Sequence, residues 1–194
     1  MIDSKQAYHH YLKMDKVALG LEGHSFGFRL KEFLFPNYIG AFQKTLRKVE
    51  YYTNCKCNSV LGKLFLTYYK IKLRKRALKI GVSIPINVFG PGLSIVHYGT
   101  IVVNSASKVG KNCRIHACTN IGASGGSSKA PQIGDNVYIG PGAKIYGDIR
   151  IGNNIAIGAN AVVHKSFEED GIMIAGNPAK KIKSIDIKRI IRHI

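Results

Sequence analysis

Acidic residues are scarce. Asp and Glu number 11 against 29 Lys and Arg, which leaves a formal net charge of +18 on 194 residues. Such an excess says nothing about fold. It favours anionic partners: nucleic acid, an acidic membrane face, a charged glycan or a nucleotide-like cofactor. Long apolar runs are also missing, and none reaches the length that spans a bilayer. The opening stretch MIDSKQAYHHYLKMDK has no apolar segment of the secretory-leader kind. A cytoplasmic protein is therefore expected, with the inner face of the membrane as a second location. Cysteine is sparse: Cys55, Cys57, Cys113 and Cys118 outline no disulfide framework, and reduced thiols are expected. Cys55-x-Cys57 lacks a second Cys or His pair nearby, so no metal is expected. Hydrophobic residues make up 45% of the chain, which excludes a disordered protein.

What the chain does contain is a period of six. Ile133, Ile139, Ile145, Ile151, Ile157 and Val163 form an unbroken series, and the same phase runs back through Ile121, Ile115, Val109 and Val103. Four places after the aliphatic residue stands a second small or aliphatic one: Val137, Ala143, Ile149, Ile155, Ala161. Gly follows the aliphatic residue at Gly110, Gly134, Gly140, Gly152 and Gly158, and Asn follows two places later at Asn112, Asn136, Asn154 and Asn160. Six fits neither an amphipathic helix nor one long strand. It fits a short strand and a corner, repeated, with Gly and Asn tolerating the positive φ of the corners. The fold expected is mainly β: a parallel β-helix of hexapeptide repeats over residues 80–183.

Residues 1–79 read differently. YIGAFQKTLRKVEYY and SVLGKLFLTYYKIKLRKRALKIG have helical spacing, Gly81 is a stop, and LFPNYIG carries turn chemistry. A small helical region thus precedes the solenoid and caps its first coil. Residues 184–194 form a basic, apolar tail expected to pack outside as a helix or strand. Two stretches interrupt the solenoid: INVFGPGL, residues 86–93, and GASGGSSKAPQ, residues 122–132. In the second, Ser127 falls where an aliphatic residue is due, so the segment is expected to leave as a surface loop.

Run back from Val103, the phase of six lands on His97. The spacing leaves two readings open: an edge histidine beyond a phase break at Gly90-Pro91-Gly92, or a base beside a cleft. His116 follows nineteen residues later, about one triangular coil, so the two imidazoles are expected near one edge on adjacent coils. Tyr98 is either a hydroxyl donor there or part of a subunit contact. Cys113 sits at the small inward position and reads as core. Cys118 has no activating neighbour beyond His116. His9, His10, His24, His164 and His193 have no acid or ligand at useful spacing and read as solvated. GASGGSSK does not meet the phosphate-loop pattern. Lys70, Lys72, Arg74, Lys75, Arg76 and Lys79 form a basic helix face, read as solvated, as a groove for an acidic glycan, or as a patch for an anionic membrane surface. No nucleic-acid motif accompanies the charge, and no nucleic-acid partner is expected.

The hexapeptide array, HYGTIVV, the Gly/Ser loop, IGDNVYIGPGAKIYGDIRIGNNIAIGANAVV and AGNPAKKIK together resemble the serine acetyltransferase branch of the hexapeptide acyltransferases, over residues 80–183. The resemblance implies a left-handed coil, a homotrimer, and acetyl-CoA in a groove between subunits. It assigns the catalytic histidine to His97 and the closing motif for acetyl-CoA to Gly176, Asn177, Pro178 and Ala179, with Gly140, Ala143 and Gly158 along the cofactor wall. It also departs from the family. Val96 replaces the Asp that precedes the histidine, Ser83 and Pro85 replace an Asp and a His of the first coil, and Lys129-Ala130 replaces an Arg-His pair for the serine carboxylate. The short helical region is closer to O-acetyltransferases of capsule and exopolysaccharide synthesis. The expected function is therefore acetyl transfer to a hydroxyl of a surface-polysaccharide sugar. His97 is the base, His116 or a backbone carbonyl orients it, and Lys129 is a substrate contact. The alternatives are serine O-acetylation and a non-catalytic trimeric scaffold.

Overall fold

The computed structural model describes residues 1–22 and 35–194. His24 and the first residue of the LFPNYIG turn, Leu34, lie outside them. Helix α1 spans Lys5–Ala18, and Ser4 caps it by accepting the Ala7 N–H at 3.0 Å. Helix α2 spans Tyr38–Tyr51, capped by Asn37, and runs into a wider π-type turn over Tyr52–Lys56. Helix α3 spans Val60–Ile80. Ser59 caps its start, and Gly81, at φ 75°, ends it in the left-handed region that the sequence reserved for glycine.

Beyond Gly81 the chain winds as a three-faced prism. The first face stacks β1 (Val82–Ser83), β3 (Ile101–Val103), β6 (Thr119–Gly122), β9 (Lys144–Tyr146) and β12 (Val162–Val163). The second stacks β4 (Lys108–Val109), β7 (Gln132–Ile133) and β10 (Arg150–Ile151). The third stacks β2 (Ser94–Ile95), β5 (Arg114–Ile115), β8 (Tyr138–Ile139), β11 (Ala156–Ile157) and β13 (Ile172–Ala175), and β14 (Lys180–Ser184) closes it antiparallel to β13. All other pairings are parallel. Ile139 pairs with Ile157, and Ile145 with Val163, eighteen residues on: three hexapeptides to a coil.

All ten aliphatic residues of the six-step series are buried. Each rests on its counterpart in the next coil, so the core is one continuous column rather than a layer between sheets. The corners hold a second column. Asn112, Asn136 and Asn154 adopt φ of 57°, 56° and 56°; the Asn112 amide donates to Asn136, and the Asn136 amide to Asn154, each at 2.9 Å. Of the expected 122–132 loop, residues 123–129 leave the prism between β6 and β7 and lengthen that coil, while Gly122 and Gln132 stay in their strands, so Ile115 pairs with Ile139, twenty-four residues on.

A stack of coils has an open end whose first strand lacks backbone partners. Here α1 and α2 supply them from side chains. Asp15 accepts the N–H groups of Gly92 and Leu93 at 2.9 and 3.0 Å. Gln43 donates to the Leu93 carbonyl at 2.6 Å and accepts the Ile95 N–H at 3.3 Å. Glu50 accepts the Asn87 N–H at 2.8 Å, and Arg47 donates to the Phe89 and Gly90 carbonyls at 2.9 and 2.7 Å. Ile39, Phe42 and Leu46 fill the mouth of the column. Among the described residues, no helix is long and apolar enough to cross a membrane.

Candidate active site at one edge of the prism

The chain crosses from the third face to the first at one edge in every coil. In most coils the crossing is short: Ile115 and Ile121 are six residues apart. In the first coil the inward residues are Ile95 and Val103, eight apart, because Ile95 rather than His97 pairs with Ile115. The phase break therefore falls after Ile95 and not at Gly90-Pro91-Gly92. The two extra residues enlarge the corner and turn His97 and Tyr98 out to solvent.

Parallel register extends the edge downwards. Two residues after the inward isoleucine stand His97, Ala117, Pro141, Ala159 and Gly176 on successive coils; one residue after it stand Val96, His116, Gly140, Gly158 and Ala175. His97 and His116 face each other with ring centres 5.7 Å apart, and the far side of His116 meets Tyr138 at 5.1 Å. The Nε2 atom of His116 is buried without a hydrogen-bond partner. Burial, then Arg114, then His97 lower the pKa of His116, which disfavours its charged form. Among the described residues no carboxylate lies within ion-pair distance of either imidazole.

The other candidates divide. Gly176, Asn177 and Pro178 are exposed at the foot of this edge. Gly140 and Gly158 lie on it but are buried: a Cβ on Gly140 would come within 2.8 Å of the Ala159 nitrogen, and one on Gly158 within 2.8 Å of the Ala175 Cβ. These glycines let adjacent coils approach. Ala143 and Ala179 point into the core, so their side chains cannot line an outer wall. The exposed residues of this edge are instead Pro141 and Ala159, which sequence reasoning passed over; the signal was their place two residues beyond an inward isoleucine. Lys129 and the rest of the 123–129 loop leave from a different edge, between β6 and β7, and Lys129 is bound to Asp148 at 2.7 Å. That hydrogen bond holds the Lys129 pKa above the ordinary lysine value. Cys113 is buried and its thiol is pushed up to about 12 by that burial, consistent with a packing role. Cys118 is exposed on the His116 corner at φ 62°.

His193 differs from its expected solvated state. The tail folds back, and Ile187 and Ile191 pack on Ala156 beside Tyr138 and Met173. The His193 ring is half-buried, and burial with Arg114 nearby lowers its pKa. His116 and His193 thus both bind protons more weakly folded than unfolded. Stability is full above the ordinary imidazole value of 6.5 and declines as pH falls through it. The unfolding midpoint is expected to drop between about pH 7.5 and about pH 5, and to drop less in the double variant His116→Gln, His193→Gln. An equal drop in that variant would refute this assignment.

Comparison with known proteins supports the same frame. Residues 130–165 match the family model for the bacterial transferase hexapeptide (six repeats). A serine acetyltransferase of Mycobacterium tuberculosis is 38% identical over 105 residues, which are 53% of this chain and 45% of that protein. One from Synechococcus elongatus is 35% identical over 95 residues, 48% of this chain and 38% of its own length. The chain therefore spans less than half the length of these curated relatives. The crystal structure of Neisseria gonorrhoeae serine acetyltransferase aligns with 93% of this chain and 68% of its own at a TM-score of 0.68 and 27% identity. The Brucella abortus enzyme in complex with coenzyme A aligns with 93% of this chain and 70% of its own, at a TM-score of 0.67 and 27% identity. In repeat, fold and sequence together, the chain is similar to the serine acetyltransferase-like hexapeptide acyltransferases and shares their left-handed β-helix.

Proposed function

We propose that the protein is an O-acetyltransferase that moves the acetyl group of acetyl-CoA to a sugar hydroxyl. The observation that carries this reading is the exposed His97 ring set 5.7 Å from the half-buried His116 ring, at the head of an edge with small side chains. His97 takes the proton from the acceptor hydroxyl as that oxygen attacks the thioester carbonyl. Backbone N–H groups stabilise the tetrahedral oxyanion. The carbon–sulfur bond then breaks, the His97 imidazolium returns the proton to the thiolate, and free CoA leaves. His116 is a positioning residue, substituting for the family's missing carboxylate.

The edge suits the co-substrate. From His97 down, Ala117, Pro141, Ala159 and Gly176 leave a shallow wall over four coil steps, about 19 Å at the usual strand spacing. The net charge of +18 attracts its phosphates. Lys129 and the glycines of the 122–126 segment occupy another edge of the same chain. A neighbouring prism in a homotrimer brings that edge beside His97, so the complete site is shared by two protomers. In that arrangement the loop supplies the oxyanion N–H groups.

An uncharged acceptor is favoured because the Lys129 ammonium is already paired with Asp148, leaving no spare loop cation for an amino-acid carboxylate. Serine O-acetylation is the second reading, supported by the names of the relatives. Thiol release from acetyl-CoA decides between them: turnover is expected with neutral sugar acceptors and not with L-serine. Saturable turnover of L-serine at millimolar concentration overturns the sugar acceptor and leaves acyl transfer standing. A calorimetric titration without acetyl-CoA binding overturns both in favour of a scaffold.

A further inference from the structure

The inner side of α3 is occupied. Leu73 and Ala77 pack on the core, Tyr69 meets Tyr52 and Lys48, and Arg76 donates to the Ala41 carbonyl at 2.7 Å. Its outer side is apolar too. Leu61, Leu64, Tyr68, Ile71 and Leu78 follow one another at intervals of three, four, three and seven, and are 68%, 63%, 53%, 54% and 74% exposed. A helix that is apolar on both sides is built to be covered on both. Between Val60 and Ile80 there are seven Lys and Arg and no Asp or Glu. Lys63, Lys70, Arg74 and Lys75 are exposed on or beside the apolar seam.

We propose that this face of α3 docks on an anionic lipid surface. Charge selects the occupant. A second copy of α3 laid on the seam would set its exposed cations against their own copies with no acid on the helix to pair them. Anionic headgroups complement the cations, while Leu61, Leu64, Tyr68 and Ile71 enter the acyl boundary. The basic side chains reach headgroups along their own alkyl stems. The helix then lies in the interface plane, at the end of the prism that the helices cap.

The test is flotation of the full-length protein with vesicles of phosphatidylcholine alone and of phosphatidylcholine with phosphatidylglycerol. Binding is expected only to the anionic vesicles and is weakened by salt. Lys70→Gln and Lys75→Gln should each weaken it about fivefold. Leu64→Ser with Ile71→Ser should weaken it at least about tenfold, with an unchanged thermal midpoint because both residues are exposed. The proposal fails if the protein ignores both vesicle types, or binds both equally, or if the Leu64→Ser, Ile71→Ser variant binds as well as the parent. It also fails if that variant loses a self-associated species by light scattering while keeping its vesicle affinity. Binding is read without turnover, so failure here leaves the proposed reaction untouched.

Discussion

Replacing His97 with Ala is expected to lower kcat by about 10²–10⁴-fold, the usual contribution of one positioned general base. The fold should not notice. The ring lies outside the core column, and its corner is held by backbone contacts on either side: the Val96 N–H to the Ile115 carbonyl at 3.1 Å and the Gly99 N–H to the Ile80 carbonyl at 3.0 Å. Thermal midpoint and oligomer size should match the parent, and acetyl-CoA affinity should change little. His116→Gln separates a positioning role from a direct one. If His116 acts through His97, its loss is costly in the parent and nearly free in the His97→Ala background, the non-additivity expected of residues that work as a unit. Steady-state assay of the two single variants and the double variant is the measurement. Activity of His97→Ala within tenfold of the parent would remove the imidazole from the chemistry.

The solenoid was legible because its signal is repeated. A period of six that recurs ten times survives one missing step at Ser127, and every member of it is buried. The site was legible only in part, since it sits where the repeat breaks. Extrapolating the phase from Val103 gave His97 the place of an inward residue. The fold gives that place to Ile95 and uses two added residues to push the imidazole out. The same arithmetic that finds a rung cannot say which neighbour faces solvent. Hence Ala143 is expected on the cofactor wall and Ala179 in the closing motif although both side chains fill the core, and Pro141 and Ala159 escape notice. The pairing of Lys129 with Asp148, nineteen residues apart across an edge, has no local signature. Nor does the return of the tail over Ala156, which depends on β14 reversing direction first. The helical half lacks any repeat. Its helical spacing identifies α2 and α3, but nothing in that spacing predicts that the buried side of α2 is partly charged.

That charged side gives the largest expected effect on stability. Arg47→Ala should destabilise the fold by about 3–5 kcal/mol, the cost of breaking a buried ion pair from one side. Arg47 is 0% exposed. It donates to Asp15 at 2.8 and 3.3 Å and to Glu50 at 3.0 Å, as well as to the Phe89 and Gly90 carbonyls. Burial works against its charge, but Asp15 and Glu50 outweigh that penalty and hold its pKa above the ordinary arginine value. Removing the guanidinium leaves two buried carboxylates and two carbonyls without their donor. Those carboxylates also hold the N–H groups of Asn87, Gly92 and Leu93, so the damage passes directly into the first coil. At about 2–4 °C per kcal/mol for a chain of this size, the midpoint should fall by about 6–20 °C. Arg47→Lys keeps the charge without the fork and should fall between. Urea and thermal unfolding, both followed by far-ultraviolet circular dichroism, give the free energy and the midpoint for all three proteins. A midpoint for Arg47→Ala within about 2 °C of the parent would mean that the prism holds its first coil without the helices, and the side-chain cap would then be incidental to the fold.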